Sequence, residues 1–238
     1  MNVRAAIAVA VLAPALVACA GPQSALDPAG PAADAIATTW WLMFGTAMAV
    51  WAAVMVLVLL AMRRGRGLRP AAGRKMIVVG GALVPTVLLA ALLVYGTRTS
   101  DLVTGRGSDA ELVVRVTARQ WQWQFDYLDD EGGTIGSTLD RLALPLGQMV
   151  EFRVGSEDVI HSFWIPRLGG KMDAIPGRDN VIRLRADQPG PMRGQCAEFC
   201  GLDHATMAFE VVVIDPDELS AWISANAVAA IDPAEGLR

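Results

Sequence analysis

Residues 194–207 read Gly-Gln-Cys-Ala-Glu-Phe-Cys-Gly-Leu-Asp-His-Ala-Thr-Met. The stretch offers two thiols four positions apart, Cys196 and Cys200, then an imidazole at His204 and a thioether at Met207. One loop can bring these four donors together, and His161, further upstream, can join them from a neighbouring strand. The chain has only two His and three Cys, so both imidazoles and two of the three thiols fall between His161 and His204. Thiolates and a thioether favour copper, particularly Cu(I), and imidazole suits copper in both oxidation states. A mononuclear blue-copper site takes a single Cys. With a second Cys, two thiolates can bridge two copper ions, each terminated by one His. Charge shared over two metals disturbs each bond only slightly when an electron arrives, so such a core suits an electron relay. Two other readings use the same residues. A structural Cys₂His₂ zinc site has no need of Met207, and a Cys196–Cys200 disulfide leaves the two His unexplained.

The donors need a rigid frame, and residues 107–228 have the pattern of an all-β domain. Gln120 to Tyr127 alternate strictly, which puts Trp121, Trp123, Phe125 and Tyr127 on one face of a strand. Asp129–Gly133 reads as a turn. Further strands are expected at 111–117, 148–154, 159–165, 181–185 and 208–214, with a closing helix over 217–228. Short strands at this spacing suggest a sandwich or Greek-key barrel. There is no Cys-x-x-Cys-His, so no attached c-type haem is expected.

Before this domain the chain is far more apolar, which raises the whole to 53% hydrophobic and only 18% charged. Residues 1–18, with Arg4 followed by a short apolar run, read as a signal peptide. Leu16-Val17-Ala18-Cys19 is similar to a bacterial lipoprotein cleavage box, which makes Cys19 the expected lipidation site. Residues 19–37, rich in Ala, Pro and Gly, read as a linker. Residues 38–62 and 76–95 are uncharged and long enough to cross a bilayer, with Trp40 and Trp41 at an interface position. Residues 63–75 between them hold six basic residues and no acid, so this loop is expected in the cytoplasm and both ends of the hairpin outside. A tail follows at 229–238.

Charge is unevenly divided. Residues 1–100 hold eight basic residues and two acids, whereas 101–238 hold 12 basic and 22 acidic residues, a net of about −10. That balance excludes nucleic acid as a partner of the C-terminal domain and favours basic proteins.

The ligand loop resembles the dinuclear copper A loop of cytochrome c oxidase subunit II. Asp158-Val-Ile-His161-Ser-Phe-Trp-Ile-Pro166, Lys171-Met-Asp173-Ala-Ile-Pro-Gly-Arg178 and Gln120-Trp121-Gln-Trp123 are similar to other segments of the same family, as is the preceding helical hairpin. The resemblance implies a cupredoxin-like Greek-key barrel in which Cys196 and Cys200 bridge the coppers. His161 and His204 would be terminal ligands, Met207 a weak axial one and Glu198 a ligand through its backbone carbonyl. The Glu198 carboxylate would help hold magnesium at the junction with subunit I. Trp121 would receive the electron, and Asp158 and Asp173 would help dock cytochrome c. The implied protein is an oxidase subunit in the bacterial inner membrane, with its β domain in the periplasm and with subunits I and III as partners. It passes electrons from cytochrome c to haem in subunit I, where oxygen is reduced to water with proton translocation. The family commonly carries a glutamate near the start of the second membrane helix, whereas residues 71–79 here hold no acid. A membrane-tethered copper-binding protein or metallochaperone acting outside any oxidase is the alternative reading.

Overall fold

The computed structural model describes residues 20–64 and 70–228; the expected signal peptide, Cys19, residues 65–69 of the basic loop and the tail lie outside the described residues. The chain divides into a helical unit, Thr38–Asp101, and a β unit formed by the residues on either side of it.

The helical unit follows from composition. Helix α1 (Pro31–Arg64) contains the first apolar run. Helix α2 (Pro70–Val78), a π-helical turn (Val79–Leu83) and helix α3 (Val84–Thr104) contain the second. Both spans are long and apolar enough to cross a membrane, and neither apolar window is buried against protein. The π turn has a local cause. Pro85 has no N–H to donate and its ring crowds the carbonyl one turn earlier. Val84 N–H bonds Val79 O, and this wider i→i−5 spacing makes room for the ring.

The β unit is built from two five-stranded mixed sheets. The strands are β1 (Leu112–Arg119), β2 (Gln122–Leu128), β3 (Thr134–Leu139), β4 (Arg141–Pro145) and β5 (Met149–Ser156). They continue with β6 (His161–Trp164), β7 (Met172–Ala174), β8 (Asn180–Arg185), β9 (Gly190–Cys196) and β10 (Ala208–Ile214). One sheet has the order β3-β2-β1-β5-β8 and the other β4-β10-β9-β6-β7. The β1–β5 and β4–β10 pairs are parallel, and the whole is the cupredoxin-like architecture expected. A 3₁₀ turn (Pro216–Glu218) leads into helix α4 (Leu219–Asn226), shorter than the expected 217–228.

Alternation places Trp123, Phe125 and Tyr127 of β2 inward, where they meet Phe152, Phe163 and Phe209. Phe163 and Phe209 stack at 5.3 Å, and Trp123 meets Phe209 edge-on at 5.6 Å. Tyr127 joins the two sheets: its hydroxyl accepts from Ala143 N–H at 2.8 Å and donates to Ala143 O at 3.2 Å. Trp121 precedes β2 and is only partly buried, so the alternation stops one aromatic short of the expected four.

Residues 20–37 are not the free linker expected from their composition. Pro22 O accepts from Arg193 N–H at 3.0 Å, Ala29 N–H donates to Arg167 O at 2.8 Å, and Asp187 N–H donates to Ala29 O at 2.7 Å. Ala29, Ala32 and Ala33 are buried, and a Cβ on Gly30 would collide with Arg185 O. Small side chains allow this close approach, and the same Ala, Pro and Gly content also suits a flexible tether. Helix α1 accordingly begins at Pro31, upstream of the apolar run.

Candidate metal centre

Strands β6, β9 and β10 lie side by side and deliver the donors to one end of their sheet. His161 opens β6 and Cys196 closes β9. Residues 197–203 form the connecting loop, His204–Thr206 make a 3₁₀ turn, and Met207 precedes β10. Backbone bonds close the loop on both sides: Cys196 N–H to Met207 O and Ala197 N–H to Ser162 O, each 2.9 Å. Phe209 lies over Gly194, two positions before Cys196, where any side chain would strike its ring.

The expected donors converge. The sulphurs of Cys196 and Cys200 are 3.8 Å apart. His161 Nδ1 lies 3.8 Å from Cys196 Sγ, and His204 Nδ1 lies 3.6 Å from Cys200 Sγ. Met207 Sδ is 3.7 Å from Cys200 Sγ, and Glu198 O is 3.2 Å from Cys196 Sγ. His161, Cys196, Cys200 and Met207 are buried, whereas His204 is half-buried.

This geometry bears on the two competing chemistries. A disulfide needs an S–S distance of about 2.05 Å, and both thiols are free. Donors around one tetrahedral zinc lie about 3.3–3.8 Å from each other. His161, Cys196 and Cys200 present atoms mutually within 4.8 Å, but His204 does not join that group. The two imidazoles therefore stand at different ends of the thiol pair, His161 nearest Cys196 and His204 beside Cys200. Two thiols, two imidazoles, a thioether and a carbonyl form a donor set that fits copper.

Burial pushes the Cys196 thiol up, but hydrogen bonding, chiefly with His161, outweighs it and leaves the group below its ordinary range. Cys200 goes the other way: burial and the neighbouring Cys196 thiolate both raise it. Burial lowers His161, but Cys196 and Asp158 outweigh it and the imidazole is raised overall. A cation that binds here must displace the proton of the second thiol.

The remaining expected residues surround this core. Trp121 Nε1–H donates to Cys200 O at 3.3 Å. Asp158 Oδ1 bonds His161 Nε2 at 2.8 Å, and its carboxyl lies below the usual range because bonds from His161, Gln120 and Val159 outweigh burial. Asp173 accepts from Ser162 Oγ at 2.7 Å, which with Lys171 holds it low against burial. Lys171 Nζ stands 3.3 Å from both Asp173 and the Glu198 carboxylate. Reading the sequence did not single out Gln120, which bonds both Asp158 and Cys200, or Lys171. Both stand in segments that resemble the family, beside Trp121 and near Asp173, but the resemblance assigned them no role.

The fold and site together define a membrane-anchored protein with a cupredoxin-like domain that carries a buried cluster of thiol, imidazole and thioether side chains. Residues 131–214 match the family described as cytochrome c oxidase subunit II, periplasmic domain. A cytochrome c oxidase subunit 2 from Alkalihalophilus pseudofirmus is 34% identical over 236 residues, covering 93% of this chain and 68% of that protein. One from Bacillus subtilis is 35% identical over 164 residues, covering 63% of this chain and 45% of its own length. A crystal structure of the periplasmic domain of subunit II from Bradyrhizobium japonicum shares 30% identity at a TM-score of 0.46, covering 50% of this chain and 95% of that one. The chain belongs to the cytochrome c oxidase subunit II family, and with it to a membrane-bound haem–copper oxidoreductase complex. Family membership leaves the free-standing metallochaperone without support.

Proposed function

We propose that this chain holds a dinuclear copper centre, takes electrons from a cytochrome c and passes them to haem in subunit I, where oxygen is reduced to water with coupled proton translocation. One observation carries the reading: two thiols 3.8 Å apart stand between two imidazoles, with His161 Nδ1 3.8 Å from Cys196 Sγ and His204 Nδ1 3.6 Å from Cys200 Sγ. Bound copper supplies a one-electron acceptor and donor. Cys196 and Cys200 would provide the two shared sulphurs, His161 and His204 the two ends, and Met207 and the Glu198 carbonyl weak neutral donors. Burial of four of these side chains excludes water and keeps the donors in a packed frame, so little moves when charge changes.

Trp121 is the proposed point of electron arrival, one hydrogen bond away from the backbone of Cys200. Asp158, Asp173 and the surrounding acids attract a basic cytochrome c. The Glu198 carboxylate would exchange Lys171 for a magnesium ion at the boundary with subunit I. Subunit III is a further partner. Removal of a signal peptide and lipidation at Cys19 would add a second anchor, with the basic loop in the cytoplasm and the β unit in the periplasm of a bacterial inner membrane.

Electron paramagnetic resonance of the copper-loaded protein tests the reading. An electron shared equally by two copper nuclei gives seven hyperfine lines, and one localised on a single copper gives four. The seven-line pattern with two coppers per chain is expected; one copper and four lines would overturn the dinuclear assignment.

A further inference from the structure

The metal donors come from two separate segments: His161 from β6, and the rest from the β9–β10 connection. A small group of residues outside the donor set touches both. Asp158 Oδ1 bonds His161 Nε2 at 2.8 Å, while His161 Nδ1 faces Cys196. The other oxygen of the same carboxylate accepts from Gln120 N–H at 2.6 Å. Gln120 then reaches the second segment, where its Nε2–H donates to Cys200 O at 2.6 Å, beside the indole N–H of Trp121. Gly201 permits this approach. Its φ is +124°, and a Cβ there would lie 2.9 Å from Gln120 Nε2 and 3.1 Å from Trp121 Cζ2.

From this geometry we propose that Asp158 and Gln120 are positioning residues, a hydrogen-bonded bridge that fixes His161, Cys200 and Trp121 in one frame. The inference rests on the copper reading above and changes the role of Asp158. Its carboxylate accepts from His161, Gln120 and Val159 N–H, so most of its capacity is spent inside the domain. An acceptor on Nε2–H fixes the tautomer of His161 and leaves the Nδ1 lone pair for the metal. The second arm keeps Trp121 against the carbonyl of a ligand residue. A carboxylate that only attracts a partner would need neither bond.

The test uses the copper-loaded full chain and the oxidase containing it. Asp158→Asn keeps the shape and removes the charge, and Asp130→Asn removes the same charge from an exposed turn. Outer partners of a metal ligand are worth roughly 10–100-fold in metal affinity. Asp158→Asn should weaken copper binding by roughly tenfold at least and change the nitrogen hyperfine coupling of His161. Asp158→Glu, which restores the carboxylate, should recover part of both, and Asp130→Asn should change neither. Gln120→Ala keeps the Asp158–His161 bond and cuts the arm to Cys200. It should leave copper affinity within roughly twofold while lowering the rate of electron arrival at saturating cytochrome c by roughly tenfold.

If Asp158→Asn changes only KM for cytochrome c, and by the same factor as Asp130→Asn, the bridge is wrong and Asp158 is a docking charge. Should Asp158→Asn fail to assemble, an unchanged maximal rate in Gln120→Ala overturns the proposal. A wild-type protein without the two-copper signature would instead sink the underlying function.

Discussion

His161 is fully buried and its ring is engaged at both nitrogens, Nε2 by Asp158 and Nδ1 facing Cys196. His204 is half-buried, and its neighbour Phe199, 5.7 Å away edge-on, is itself 77% exposed. Among the described residues no carboxylate pairs with His204. One half of the centre is thus set in strand and core, with Trp123 against the His161 ring at 6.1 Å. The other half is set in a loop that ends at solvent, where Leu202 is 93% exposed. The difference separates two demands on an electron relay. The strand-borne half fixes geometry, and the loop-borne half would bring a bound metal close to the surface.

Replacing the element that both halves share should have the largest effect. Cys200→Ser removes a sulphur 3.8 Å from Cys196 and 3.7 Å from Met207. Loss of a proposed direct ligand should exceed the roughly 100-fold associated with outer partners. Oxidase turnover should fall by more than about 100-fold, and the seven-line spectrum should disappear; a retained seven-line spectrum would refute the shared-sulphur arrangement. The two imidazoles come next, and they should divide as the halves do. His161→Ala opens a cavity in packed core and strands Asp158, which should cost on the order of 2–3 kcal/mol of stability by thermal or denaturant unfolding. His204→Ala should cost less than about 1 kcal/mol while still disrupting the copper signature. Equal destabilisation by the two substitutions would erase the distinction.

Removing the metal sharpens the same contrast. Copper present at about 100 times its dissociation constant stabilises by about 2.7 kcal/mol, which chelation should remove. Amide exchange should then rise most in residues 197–206, held by turn bonds such as His204 N–H to Gly201 O at 3.3 Å. Strand β6, paired on both sides, should respond far less. A uniform rise across both segments would show that the site is one cooperative unit.

The two halves also differed in how well they could be read from sequence. The loop-borne half was legible because its donors are close in the chain and chemically rare. The strand-borne half was legible only in part. His161 could be named, but Asp158 read as a surface charge and Gln120 as part of an alternating strand. Their roles depend on a corner that brings residues 120, 158 and 200 together, and no local pattern encodes that. Apolar alternation likewise revealed β2, whereas β9 (Gly190–Cys196) was missed because Gly and Pro sit in it. There Gly194 is required by the overlying Phe209 ring, a tertiary constraint. Strand β3, Thr134–Leu139, has little apolar content because Gly136 must clear Ile223 of α4. Residues 20–37 failed in the opposite direction, since small side chains suited a tether and a docked segment equally well.

The smallest expected effect lies at the rim of the loop-borne half. Leu202 and Phe199 are exposed beside His204, and the β unit carries a net charge of about −10 with its C-terminal residues. If cytochrome c meets this half, apolar contact should hold the complex and charge should bring it in. Leu202→Ser removes contact only, so KM should rise by roughly threefold with little change in maximal rate or stability. Raising ionic strength should slow association in wild type and variant by the same factor, because screening acts on the acids and not on Leu202. A salt dependence that changes with Leu202→Ser would mean that contact and steering are not separable at this rim. An unaltered KM would move the docking site away from the loop-borne half altogether.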